Sequence, residues 1–110
     1  MRLSPFDSFS WMAHLALGNV CFREGHYDDA ALLLAQSAQG NPRFSALYLV
    51  QAAALALAGR IEESKSIARQ ALELEPGFRA QPFAGAFRKF VRPELVDGWI
   101  AGWRLAGLPE

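Results

Sequence analysis

An all-α fold of antiparallel helical hairpins is what this sequence predicts, and three observations predict it. The chain repeats itself with a period of 34 residues, its apolar residues recur at helical spacing, and glycine or proline stands where each apolar stripe stops. Residues 11–44, WMAHLALGNVCFREGHYDDAALLLAQSAQGNPRF, align without a gap on 45–78, SALYLVQAAALALAGRIEESKSIARQALELEPGF. Gly25, Asp28, Asp29, Pro42 and Phe44 of the first unit fall on Gly59, Glu62, Glu63, Pro76 and Phe78 of the second.

Each unit reads as two helices. The first helix spans about Phe9 to Glu24 and turns at Gly25-His26, where glycine reaches the left-handed conformation that ends a helix. The next starts near Tyr27, with Asp28 and Asp29 at its positive end and Ala30, Leu33, Leu34 and Ala38 as its apolar stripe. Gly40-Asn41-Pro42 ends it. In the second unit Tyr48, Leu49, Ala52, Leu55 and Ala56 line the first helix, Gly59-Arg60 turns, and Ile61 to Leu74 forms the second helix on Ile67, Ala68, Ala71 and Leu72. Glu62 with Lys65, and Arg69 with Glu73, stand at helical spacing on the outside and are expected to contribute about 0.2–0.5 kcal/mol per pair. Pro76-Gly77 breaks the chain. Beyond it, a short helix is expected near Gln81 to Val91, then Pro93 opens a helix to about Leu105 with Leu95, Trp99, Ile100 and Trp103 on one face. That face is expected to cap the last open side of the stack, and Trp99 and Trp103 are also candidate interface residues.

Composition narrows the function. The 110 residues make one domain, 52% hydrophobic, with eleven basic and eleven acidic side chains and no net charge. No basic stripe is wide enough for nucleic acid; the densest cluster, Arg88, Lys89 and Arg92, reads as a solvated helix face. The longest uncharged run, Phe44 to Gly59, is 16 residues, too short to span a bilayer comfortably, and reads as a buried helix. The first residues lack the apolar region of a signal peptide, and Cys21 is a lone thiol, so a cytoplasmic location is expected. Nine arginines against two lysines suggest a GC-rich bacterial source.

No chemistry is expected. His14 and His26 belong to no metal-binding pattern, Cys21 sits at a core position, and Asp28-Asp29 and Glu62-Glu63 read as helix-start charges, where paired-carboxylate catalysis would need them facing across a cleft. No glycine-rich loop cradles phosphate. No catalytic residue, metal or cofactor is therefore expected.

The 34-residue unit resembles the tetratricopeptide repeat, whose signature W-x2-L-G-x2-Y, A-x3-F, P falls here on His14, Leu17, Gly18, Cys21, Ala30, Leu34 and Pro42, and again on Tyr48, Gln51, Ala52, Leu55, Ser64, Ala68 and Pro76. The small and proline positions match; the signature tryptophan is absent from both units. The resemblance implies hairpins stacked as a short right-handed superhelix: 11–44 as repeat one, 45–78 as repeat two, and 79–110 as a degenerate third hairpin and cap. Leu3 to Asp7, with Pro5 in the part of Pro42, is expected to be the tail of a preceding repeat, within 1–8. RLSPFD, the two units and the closing WRLAGLPE are also similar to the C-terminal repeat region of bacterial signalling proteins. In those, repeats follow a class III adenylate/guanylate cyclase or a winged-helix domain. This chain is accordingly expected to be a fragment of such a protein.

The resemblance further implies a concave groove lined by the first helix of each hairpin. Helical spacing assigns it Met12, Leu15, Asn19, Phe22 and Arg23, then Ala46, Leu49, Ala53, Ala56 and Leu57, then Phe83, Phe87 and Phe90. Leu15 stands where a carboxylate-gripping member of the family needs lysine, which argues against that mode of binding. The groove is apolar, and three occupants suit it: an apolar segment of a partner protein, a second copy of the chain, or the chain's own last helix. The expected function is a protein-interaction module presenting Phe22, Leu49 and their neighbours, so that Phe22→Asp weakens binding and leaves the helices intact. The alternative is a dimerisation or regulatory domain of an attached adenylate cyclase.

Overall fold

The computed structural model describes residues 8–110. These form six helices and no strand: α1 (Ser8–Arg23), α2 (Tyr27–Gly40), α3 (Ser45–Leu57), α4 (Ile61–Leu74), α5 (Ala80–Phe87) and α6 (Pro93–Leu105). The expected repeat tail at Leu3 to Asp7 lies outside the described residues.

The 34-residue period is visible in the backbone itself. Gly25 and Gly59 take φ of 84° and 85°. At the first, the Gly25 N–H donates to the Phe22 carbonyl and the His26 N–H to the Cys21 carbonyl, at 3.1 and 2.9 Å. At the second, Gly59 donates to Ala56 and Arg60 to Leu55, at 3.0 and 2.9 Å. These paired bonds satisfy carbonyls that a helix end leaves without partners, and they require a left-handed residue at the turn. The same device ends α6. Gly107 has φ of 80°, with Gly107 donating to Arg104 and Leu108 to Trp103. No atom lies within 4 Å of where a Cβ would stand on Gly25 or Gly59, so the cost of a side chain there is backbone strain alone.

The third helix is the hub. It packs on α2, α4 and α6 and is buried at Ser45, Leu47 and every residue from Leu49 to Ala56. This is why the uncharged run of the sequence has no polar face. Its alanines keep the neighbouring helices close, and Ser64 Oγ ties α4 to it by donating to the Ala52 carbonyl at 2.7 Å; likewise Ser37 Oγ ties α2 to α1 by donating to the Trp11 carbonyl at 2.7 Å. Gly18 serves the same end between α1 and α2, where an added Cβ would meet Leu34 Cγ at 3.0 Å.

The third unit does not repeat the pattern. Its first helix stops at Phe87, short of the expected Val91, and it is α6 that lies against α3 while also touching α1. Proline at N1 of α6 and the extended Arg92 before it set the entry of that helix. Gly102 allows the approach: a Cβ there would lie 2.6 Å from both Cα and O of Ala53. One residue on, the Trp103 indole N–H donates to the Leu49 carbonyl at 2.7 Å. Gly98 faces α1, where a Cβ would fall 2.7 Å from Cε1 of Phe22.

The short α5 is held by its surroundings. Its opening N–H groups, on Ala80 and Gln81, donate to the carbonyls of Pro109 and Glu110 at 2.8 and 3.0 Å. Its face joins an aromatic cluster in which Phe78, Phe83 and Trp103 pack with centroids 5.2–5.9 Å apart and Phe87 meets Trp99 edge-on at 5.8 Å. Such pairs contribute about 0.5–1.5 kcal/mol beyond area burial.

On the surface the expected pairs Glu62–Lys65 and Arg69–Glu73 are not among the ion pairs. Arg60 instead joins Glu63 at 2.8 Å and Asp28 at 3.1 Å. From its turn it reaches the acidic first turns of both α2 and α4, where the positive helix ends already hold the carboxylates in place.

Two sets of glycine variants test this account. Gly25→Ala and Gly59→Ala should each cost about 1 kcal/mol in denaturant unfolding, while Gly85→Ala, within α5 and facing open space, should be neutral or stabilise by up to about 1 kcal/mol. Gly102→Ala should cost about 1–3 kcal/mol despite the better helix propensity of alanine, because the obstruction is backbone. Gly98→Ala should cost less, because the obstructing atom is the far end of the Phe22 ring.

Candidate functional site

The groove residues expected from the sequence divide into two groups. Phe22, Leu49, Ala53 and Ala56 are buried. Phe22 lies beneath Gly98 of α6, Ala53 beneath Gly102, and Leu49 gives its carbonyl to Trp103. The chain's own last helix therefore covers these residues. Leu57 is half-buried against the same core. Trp99 and Trp103, 5% and 0% exposed, face inward and present little surface to a second copy. Met12 is exposed.

The second group borders a hollow that α6 leaves open. Leu15 and Asn19 of α1, Phe83 and Phe87 of α5, and Trp99 of α6 line a pocket of about 190 Å³. The near end of α3 supplies Ala46, Leu47 and Val50, with Phe44 before it and Val91 closing the far wall. A second, shallower hollow of about 240 Å³ adjoins it at Asn19 and Val91 and is lined also by Val20, Arg23, Phe90, Arg92 and Leu95. Together they form a cleft between α1 and the α5–α6 connection. Its inner end is apolar and its outer end carries two guanidinium groups. Neither Arg23 nor Arg92 takes part in an ion pair among the described residues. Phe90 is 82% exposed at the rim.

Two residues of its lining, Asn19 and Trp99, each carry a buried polar atom without a partner. Asn19 Oδ1 and Trp99 Nε1 are buried and make no hydrogen bond. The contrast with Trp103, whose indole nitrogen is satisfied by Leu49, is informative: both tryptophans are inside, but only one finds its acceptor within the fold. A buried donor or acceptor left unmade costs about 1–3 kcal/mol.

A larger hollow of about 350 Å³ lies between α2 and α4, lined by Asp28, Leu32, Gln51, Arg60, Glu63 and Ile67 among others. Its charges already satisfy one another. The hydrogen bond from Arg60, then its positive charge, holds the Glu63 carboxyl below the usual carboxylate range, and partial desolvation opposes the shift. A lowered carboxyl contributes stability above its unfolded pKa and loses it as pH falls through the folded value. Glu63 is exposed, so solvent screens that contribution.

Among the described residues no three His, Cys, Asp or Glu side chains gather closely enough to hold a metal ion. Cys21 is half-buried, and His26, Asp28 and Asp29 are exposed. No described helix is long and apolar enough to cross a membrane.

Sequence spacing named Leu15, Asn19, Arg23, Phe83, Phe87 and Phe90, which the fold brings to one cleft. It missed Phe44, Val50, Val91, Arg92 and the pocket-facing role of Trp99. Those depend on where α6 lies, and no repeat period encodes that.

The burial of Phe22 reverses one expectation. Phe22→Asp would set an unpaired carboxylate under α6, where Phe22 is 3% exposed and meets Tyr27 edge-on. It should cost about 3 kcal/mol or more and abolish the cooperative thermal transition seen by circular dichroism, which a selective loss of binding would leave in place.

No family model, no curated protein and no solved structure matches this chain.

Proposed function

We propose that this chain is a protein-interaction module of tetratricopeptide type whose partner docks in the cleft between α1 and the α5–α6 connection. The observation that carries this reading is the division of the expected groove residues. Part of them are covered by α6, while the cleft beside it stays open, apolar within and rimmed by exposed Phe90 and Val20. An apolar hollow with an exposed aromatic rim is unusual on a surface that needs no partner.

Within a bacterial signalling regulator, such a module would hold a partner or a neighbouring domain in place and perform no catalysis itself. The alternative, a dimerisation domain for an attached cyclase, draws no support from Trp99 and Trp103, which are internal. Exposed Phe90, Val20 and Met12 would have to serve in their place.

Selection of a displayed peptide library on the full chain tests the reading. Selected peptides should bind with an apolar residue in common, and Val20→Asp or Phe90→Asp should weaken them at least about 10-fold, the measure of a modest hot spot. Leu32→Asp, at the hollow between α2 and α4, should leave binding and the thermal transition unchanged. Equal weakening by all three variants, or no effect of the first two, would exclude the cleft. Concentration-dependent dimerisation that is lost in Phe90→Asp would assign the same surface to a second copy of the chain.

A further inference from the structure

The first helix has a side that no described helix covers. No residue from Ser8 to Phe22 carries a charge. α1 turns Gly18 toward Leu34 of α2 and Phe22 toward Gly98 of α6. At about 100° per residue, Met12, Ala13, Ala16, Leu17 and Val20 fall on the reverse side, within an arc of about 140°. All five are exposed, Met12 and Leu17 by 55% and Val20 by 44%. α4 shows what an outward side ordinarily carries: Glu62, Lys65, Arg69 and Glu73 are exposed along it. α3, likewise uncharged, is packed on α2, α4 and α6 and has almost no exposed side. A helix apolar all round is a buried helix, and the end unit of a stack needs a polar outer face. By that rule the outward side of α1 is an interface.

The geometry points to a second copy of this chain as the occupant, with the two α1 helices antiparallel about a two-fold axis. Such an interface must be complementary to itself. With the axis between Ala16 and Leu17, Ala13 stands opposite the partner's Val20 and Ala16 opposite the partner's Leu17. Each of these large side chains meets an alanine, and the alanines let the backbones approach. A parallel pairing would set Val20 against Val20 and alanine against alanine. The antiparallel pair opposes no like charges along the seam and lays opposite ends of the two helix dipoles side by side. Selection of a different polypeptide draws on charge, and the face from Met12 to Val20 has none to steer one. Pairing two 16-residue helices, each about 24 Å long, buries roughly 800 Å² in total, the class of transient contacts. The dimer is accordingly weak, with a dissociation constant of about 10–100 µM. This surface meets the cleft only at Val20, and the inference does not depend on what the cleft binds.

Sedimentation equilibrium of the full chain from about 5 to 500 µM tests it. The mean mass should climb from 12.1 kDa toward twice that value. Leu17→Glu and Ala16→Glu each bring like carboxylates together at the axis and should weaken association at least about 100-fold. Both positions are exposed, so the thermal transition should persist in both variants. Phe90→Asp, at the rim of the cleft, should leave association unchanged, and library-selected peptides should bind Leu17→Glu as they bind the parent. In a Cys21→Ser background, Ala16→Cys should crosslink under mild oxidation. Ala13→Cys should crosslink far less, because its two copies lie about 10 Å apart along the seam, beyond the roughly 7 Å a disulfide spans.

A mass that stays at 12.1 kDa throughout would overturn the proposal and leave the face to a different polypeptide. Association that survives both glutamate variants would overturn the placement of the seam. Association lost in Phe90→Asp and kept in Leu17→Glu would move the second copy to the cleft. Equal crosslinking of Ala13→Cys and Ala16→Cys would overturn the antiparallel register.

Discussion

The rest of the structure depends on one close approach, that of α6 to the middle of α3. At Gly102 the two helix backbones meet with no room for a methyl group, and Trp103 fastens them by donating to a main-chain carbonyl of α3. A helix carbonyl in mid-span already accepts from its own helix, so a second donor at 2.7 Å uses its remaining lone pair and needs no break in α3. The geometry is selective. Only glycine permits the contact, and an indole carries a donor far enough from its own backbone to span the gap while covering the surface around it. With α6 placed, Phe78, Phe83 and Phe87 have a wall to pack on, and α5 becomes tenable although eight residues are too few to form a stable helix alone.

What the sequence displayed and what it concealed follow from the same distinction. Local features were legible. Gly25 and Gly59 announced left-handed turns, Pro93 announced a helix start, and the uncharged run from Phe44 to Gly59 announced a helix buried on every side. All six helices fall close to where the spacing put them, and the largest discrepancy is the early end of α5. Each of these depends on residues near in sequence. The position of α6 depends on a fit between Gly98 and Gly102 on one helix and Phe22 and Ala53 on two others, between 49 and 76 residues away. Periodicity cannot report such a fit, because each partner looks unremarkable by itself. A glycine pair four residues apart reads as a weak helix and the alanines of α3 as a generic packing face. Their complementarity appears only when the helices are set together.

The same reasoning explains why the candidate site was half legible. Helical spacing put Leu15, Asn19, Phe83 and Phe87 on one surface, and in the fold all four line one pocket. It treats the groove as continuous from Met12 to Phe90. In the fold α6 occupies the centre and divides what was one surface into a sealed core, containing Phe22, Leu49 and Ala53, and an open cleft. The apolar faces of α3 and α6 become one interior when they meet. Burying both inside one chain incurs no loss of translational freedom, so an attached helix outcompetes a separate partner of equal area.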